Sequence, residues 1–200
     1  MNKFKKLMIA AGLILSMSAF TLNGKTEAAS ITHKVQSGET YWKVAAKYGV
    51  PIHNLMAANH AASTTLYTGQ NLVIPNSTIS AADKDLMARL VHAEAKGESY
   101  AGKVAVAAVI LNRVKNPQFP PTVRKVIYQA HSGHYAFTPV QNGAINQAAD
   151  EDSKKAVNEA IAYSGEGKGS LYFYNPRIAK SGWINTRQVT VTIGHHRFAK

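Results

Sequence analysis

Eight consecutive apolar residues, Val104-Ala105-Val106-Ala107-Ala108-Val109-Ile110-Leu111, constrain this chain more than any other stretch. Their surroundings, Ala101 to Val114, read as a helix that Asn116-Pro117 ends. A helix that is apolar all round belongs at the centre of a domain, so other elements have to cover it on every side. A chain of 200 residues can supply that cover, either as one medium domain or as a small domain joined to a larger one. Its 46% apolar and 17% charged residues are those of a folded chain. The absence of cysteine excludes a disulfide framework, a Cys-based zinc site and a thiol nucleophile. Lys and Arg outnumber Asp and Glu by 23 to 11, which favours a polyanionic partner or surface. The charges are scattered rather than striped, so nucleic acid is not the expected partner.

Residues 1–29 read as an address rather than as structure. Lys3, Lys5 and Lys6 precede an apolar run from Leu7 to Leu22, and the small residues Ala28 and Ala29 follow, the three-part pattern of a signal peptide. An apolar stretch of about 16 residues is short of the roughly 20 that a membrane span needs. An uncleaved N-terminal anchor is the other reading of this pattern; a lipoprotein anchor is excluded because no Cys follows. The expectation is a secreted protein with no stable membrane insertion after signal cleavage.

From Ile31 to Pro75 the punctuation gives strand, helix, helix, strand. Ile31 to Val35 alternates. Thr40 can N-cap a helix over Tyr41 to Tyr48, Gly49 stands at its C-terminal stop, and Pro51 opens a second helix. Asn71 to Pro75 closes the unit. Val35-Gln36-Ser37-Gly38-Glu39-Thr40, Trp42-Lys43-Val44-Ala45, Tyr48-Gly49-Val50, Asn59 and Gly69-Gln70-x-Leu72-x-Ile74-Pro75 together resemble a LysM module. Glu39 and Tyr41 depart from the usual Asp and Leu, and His60 to Thr65 replaces a commoner polar turn. The resemblance implies two helices on a two-stranded antiparallel sheet and a shallow groove for N-acetylglucosamine-containing glycans. It places Gly38, Glu39, Thr40, Ala57 and Asn59 along that groove. Residues 76–81 have the composition of a linker.

The chemistry is expected in 82–200. Ser80 can N-cap a helix in which Leu86, Leu90 and Glu94 recur at i, i+4 and i+8, with Met87 and Val91 alongside. Glu94 thus lies on the core-facing stripe and near the helix C-terminus, where Gly97 is the stop. Loss of water and the negative end of the helix dipole both disfavour its ionised form, so Glu94 is a candidate acid that keeps its proton near neutral pH. Glu98, beyond the stop and expected to be exposed, is the second candidate. A third helix is expected over Thr122 to Gln129, a loop over His131 to Phe137, and a fourth helix from about Asp152 to Tyr163. Leu171 to Tyr174 and Val189 to Ile193 read as strands that can pair, with Tyr172 and Tyr174 on one face. Helices followed by a small terminal sheet make the fold class α+β.

Ala88-Arg89-Leu90, Glu94-Ala95-x-Gly97-Glu98, the run from Gly102 through Asn112-Arg113, Phe137-Thr138, Tyr174-Asn175-Pro176, Trp183 and Ile193-Gly194-x-His196-x-Phe198 resemble the catalytic domain of SleB/CwlJ-type cell-wall hydrolases, which include spore cortex-lytic enzymes. The resemblance implies a mainly helical, lysozyme-like domain that cleaves peptidoglycan glycan strands with a single glutamate, which falls on Glu94. Glycosidases that add water usually need two carboxylates across the scissile bond. Here no acidic residue occurs between Glu98 and Asp150 or after Glu166, and Asp150, Glu151 and Asp152 cluster where a helix start wants them. A lone acid suits a lytic transglycosylase. The aromatic residues Tyr135, Phe137, Tyr172, Tyr174 and Trp183 are candidates to stack on sugar rings, with Gln141 and Asn175 donating to N-acetyl groups.

Three rivals stand beside this reading: a hydrolytic muramidase, a zinc-dependent wall amidase or endopeptidase, and a non-catalytic wall-binding protein. For the zinc enzyme, His92-x-Glu94, His131-x-x-His134 and His195-His196 offer ligands, but no H-E-x-x-H run exists, and neither a metal nor another cofactor is expected. The expected partner is peptidoglycan of the cell wall or spore cortex.

Overall fold

The computed structural model describes residues 31–200 apart from Gly167 and Lys180. The expected signal peptide lies outside these residues. The first module is β1 (Ile31–Lys34), α1 (Tyr41–Tyr48), α2 (Ile52–Ala58) and β2 (Asn71–Ile74). β1 and β2 pair antiparallel, Ile31 opposite Ile74. The Thr40 hydroxyl accepts the Lys43 N–H at 3.2 Å and starts α1, satisfying a donor that the helix itself leaves open. Gly49 ends α1 at φ 59, a left-handed conformation that glycine adopts without steric cost. Val35, Tyr41, Val44, Ala45, Val50, Leu55, Leu72 and Ile74 form a small core.

The second module is built around α4 (Tyr100–Lys115), which packs against α3 (Ala81–Glu94), α5 (Val123–Ile127), α7 (Glu151–Ala162) and β5 (Tyr172–Tyr174). The enclosure expected of an apolar helix is met over most of its surface: Val106, Ala107, Val109 and Ile110 lose all contact with solvent, while Val104, Ala105 and Ala108 are half-buried. Between α5 and α7 come β3 (Ala130–His131), β4 (His134–Tyr135), the short α6 (Thr138–Gln141) and a 3₁₀ turn at Ala144–Asn146. Ser80, Ser99, Thr122 and Asp150 each cap a helix start with a side-chain oxygen. The expected loop at 131–137 contains a hairpin, because Ser132 and Gly133 both take positive φ and give the tight turn whose twist suits paired strands. The third helix ends at Ile127, before the hairpin begins.

The terminal sheet differs from expectation in its order. β5 and β6 (Val189–Ile193) do not pair with each other; β7 (His196–Ala199) lies between them, antiparallel to both. Gly194, at φ 57, makes the β6–β7 turn tight enough for β7 to fold straight back. Phe198 of β7 is fully buried and joins the core beneath α4.

The two modules share an interface. α1 packs along α7, the rings of Trp42 and Tyr163 lie 5.6 Å apart, and Ala162 of α7 is buried within the core of the first module. The Lys84 ammonium donates to the carbonyls of Tyr48 (3.2 Å) and Gly49 (2.9 Å), and the Ser77 hydroxyl donates to Gly49 O at 2.8 Å. A cation at the C-terminal end of α1 answers both the open carbonyls and the helix dipole. Burial holds the Lys84 pKa below the ordinary lysine value. A Cβ on Gly49 would collide with the side chains of Asn158 and Lys84. Among the described residues no helix is long and apolar enough to cross a membrane. Gly49→Ala, which combines that collision with a left-handed backbone, is expected to destabilise the protein by about 1–2 kcal/mol. A thermal melt of the full chain reads the loss; an unchanged midpoint would show the joint to be loose.

Candidate active site

The phase of α3 delivers its last residue to the interior edge of the domain. Leu86, Met87, Ala88, Leu90 and Val91 are buried, and Glu94 ends the helix partly buried on the same stripe. Its pKa is raised to about 7, chiefly because burial disfavours the carboxylate; the Arg113 guanidinium and the Thr138 N–H act against that rise without cancelling it. Near neutral pH Glu94 therefore holds its proton about half the time, which suits proton donation followed by proton recovery.

A cavity of about 490 Å³ opens beside this region. Arg113 and Phe119 form one part of its lining, Tyr172, Trp183 and Ile184 another, and Gln129, His131 and His134 come from the end of α5 and the β3–β4 hairpin. Glu94 is not itself on the wall. Its link to the cavity is the charge of Arg113, which lines the wall and acts on the Glu94 carboxyl; the guanidinium carbon lies 5.0 Å from the ring centre of Phe137. Tyr172 and Trp183 meet edge to face at 5.1 Å, and Trp183 is half exposed. That pair gives the cavity an aromatic rim on which a pyranose face can rest.

Other expected ligand contacts fall elsewhere. Phe137 is 2% exposed, stacked against Phe173 and packed in the core, so a sugar ring cannot reach it. Tyr174, 8% exposed, is likewise enclosed, and the expected shared face of Tyr172 and Tyr174 is open only at Tyr172. Tyr135 and Gln141 are exposed but do not line the cavity. The Asn175 side-chain Oδ1 accepts the Arg177 N–H at 2.9 Å and shapes a turn. Arg113, Phe119, Gln129 and Ile184 line the cavity without having been singled out as ligand contacts. Arg113 had a signal in the sequence, a charge set in the helix that is otherwise apolar all round.

Glu98 is not the exposed residue expected beyond a helix stop. Its side chain is 8% exposed and accepts from the His195 backbone N–H (3.2 Å), while the His195 ring nitrogen lies 3.1 Å from its other oxygen. The carboxylate thus pins the β6–β7 turn, and a Cβ on Gly194 would run into it. Asp150 is held at the start of α7 by Ser153, Lys103 and His92, which together keep its pKa well below the ordinary carboxylate range. His92 is therefore turned to Asp150 and His195 to Glu98. Among the described residues no three His, Asp or Glu side chains converge as a metal site would require.

In the first module a groove of about 380 Å³ runs between Tyr41, Asn59, the loop His60 to Thr65, Tyr67 and Gln70. Of the five residues expected there only Asn59 lines it, and its amide also clamps the edge of β2 through Val73 N–H and O, each at 2.8 Å. The Glu39 carboxylate is turned to His33 (2.7 Å) and the Gln36 N–H (2.8 Å), which fixes the loop after β1. Gly38 at φ 77 serves that turn, Thr40 is the cap of α1, and Ala57 lies outside the groove. Tyr67, strongly exposed beside the groove, is a residue that the sequence pattern alone passed over.

A small βααβ module docked on a helical domain, with a protonatable acid near an aromatic-rimmed cavity, defines a two-module protein. The chain belongs to the cell wall hydrolase family, whose model matches residues 97–199, and its N-terminal module is a LysM domain, matched over residues 33–75. It is 46% identical over 127 residues to a spore cortex-lytic enzyme of Bacillus cereus, covering 64% of this chain and 47% of the relative. To the spore cortex-lytic enzyme of Halalkalibacterium halodurans it is 45% identical over 116 residues, covering 58% of this chain and 34% of the relative. The chain thus spans less than half the length of these curated relatives. The solved catalytic domain of the germination-specific lytic transglycosylase SleB from Bacillus anthracis superposes with a TM-score of 0.57 at 45% identity, over 64% of this chain and 100% of that one.

The raised pKa of Glu94 makes it a stability liability as well. Below about pH 4.5 the group is protonated folded or unfolded; as pH rises through about 7 the unfolded chain is ionised while the folded one resists, so folding stability falls. The loss is on the order of 3 kcal/mol across that window. Glu94→Gln should therefore be more stable than the parent at pH 8 and equal to it near pH 4, a divergence that paired denaturant titrations would reveal.

Proposed function

We propose that the protein is an exported peptidoglycan-degrading enzyme that cleaves the MurNAc–GlcNAc glycan strand as a lytic transglycosylase, with Glu94 as its single acid and base and the LysM module holding it to the wall or spore cortex. The observation that carries this reading is a half-protonated carboxylic acid at a helix end near an aromatic-rimmed cavity whose own lining, among the described residues, holds no carboxylate. The name of the SleB neighbour, a lytic transglycosylase, supports the same reaction.

The chemistry follows from the proton inventory. Glu94 gives its proton to the glycosidic oxygen as the bond to the muramoyl anomeric carbon breaks, and the GlcNAc of the next disaccharide departs as an alcohol. The muramoyl 6-hydroxyl attacks that carbon from within the same sugar, and its proton returns to the Glu94 carboxylate. No water is consumed, the products are a free 4-hydroxyl and a 1,6-anhydro end, and the acid is regenerated. An intramolecular nucleophile removes the need for a base across the ring, the position where an inverting hydrolase places its second carboxylate. Trp183 and Tyr172 support a sugar face, and Tyr67 does so in the LysM groove.

Glu94→Gln is expected to abolish cleavage of purified cortex sacculi while wall binding persists. Fragment masses from the parent enzyme should carry the anhydro end; products heavier by one water would replace this reading with a muramidase. The rate should decline as pH rises through about 7, where the acid form is lost. Tyr67→Ala is expected to weaken binding to chitooligosaccharides by roughly tenfold, on the scale of one lost aromatic contact; unchanged affinity would move the glycan site off this groove.

A further inference from the structure

A buried cation without an anionic partner is costly, and its presence calls for a reason. Arg113 is 7% exposed. Its Nε–H donates to Leu171 O at 2.7 Å, and its guanidinium carbon lies 5.0, 5.1 and 5.6 Å from the ring centres of Phe137, Phe119 and Tyr172. Among the described residues no carboxylate comes within ion-pairing distance of it. Its side chain forms part of the cavity wall, and the bond to Leu171 engages only Nε. The Arg113 charge and the Thr138 backbone both act on the Glu94 carboxyl, and Thr138 adjoins Phe137, whose ring centre lies 5.0 Å from the guanidinium carbon.

We propose that Arg113 is the positioning residue that receives the negative charge of Glu94 once its proton has passed to the glycosidic oxygen. This rests on Glu94 as the acid. While Glu94 is protonated, the attraction between the two is weak; it grows as the carboxylate forms, so it favours the transition state over the resting one. The three rings and Leu171 O already fix the guanidinium, and no reorganisation is spent at the moment of transfer. Burial keeps the carboxylate basic enough to recover the proton of the 6-hydroxyl, and the Arg113 charge limits that basicity. The titratable groups facing the cavity are Tyr172 from β5 and His131 and His134 from the hairpin; His92 and Lys103 are committed to Asp150.

The test is the pH profile of glycan cleavage on soluble strands released from sacculi, with folding followed by circular dichroism. Arg113→Met retains an apolar stem among the rings and removes the charge; Arg113→Lys retains a charge and loses the fork. Met is expected to lower the plateau rate roughly tenfold or more and to move the high-pH limb upward by roughly one pH unit. Lys should keep the limb near its original position. If Arg113 merely props Leu171, the rate falls with the limb in place; if it contacts substrate, KM rises with the limb in place. Either outcome overturns the inference. Glu94→Gln, measured alongside, separates the failures: activity there removes the acid itself, whereas an inactive Glu94→Gln with an unmoved limb in Arg113→Met removes only the role given to Arg113. Should Met fail to fold, a ¹³C titration of the Glu94 carboxyl in the parent and in Arg113→Gln reads the same coupling, and identical midpoints would sink it.

Discussion

Burial of most of α4 is the constraint on which the second module depends. An apolar helix in the middle leaves its few polar side chains only one way to be satisfied, by reaching a neighbouring element. Lys103 reaches Asp150 at the start of α7, at 2.9 Å; Asn112 donates to Ser170 O at 3.0 Å, and Arg113 to Leu171 O at 2.7 Å. Each contact answers a buried polar group and at the same time fixes a neighbour, the first α7 and the other two the entry to β5. The terminal sheet therefore cannot slide along α4 without leaving donors unpaired. That is why Tyr172 keeps its place at the mouth of the cavity although β5 has only three residues.

The two glutamates of the α3–α4 junction show how environment separates chemically identical groups. Glu98 has a backbone N–H and an imidazole to accept from, and its work is to hold a turn. Glu94 has little water and only partial compensation, and burial dominates its titration. One is satisfied and structural; the other is left short of partners. An acid that has to release and regain a proton belongs in the second setting, because a fully satisfied carboxylate would never be protonated near neutral pH.

Much of this was legible in the residues. The period of Leu86, Leu90 and Glu94 placed the acid on the inward face, and Thr40, Ser80 and Gly49 marked helix ends through side-chain chemistry that works locally. Strand order was not legible, because β7 carries an alternation broken by His196 and Arg197, and its position between β5 and β6 is decided by the Gly194 turn and by Phe198 seeking the core. The aromatic residues divided in a way that no pattern announced: Phe137 and Tyr174 were drawn inward, Tyr172 and Trp183 stayed at the rim. Aromatic character says what a residue can stack on, and only packing decides which partner it meets. Glu39 illustrates the same limit in the LysM module, where a polar residue taken for a ligand contact serves the loop, whereas Asn59 both lines the groove and clamps the sheet edge.

The joint between α1 and α7 changes what the N-terminal module is mechanically. Ala162 completes its core, and Ser77 and Lys84 fasten the end of its first helix to the linker and to the first turn of α3. A module anchored in this way is a bracket, not a leash. The interval and angle between its groove and the cavity of the second module are written into side-chain packing, so the spacing of the two is set by the protein itself.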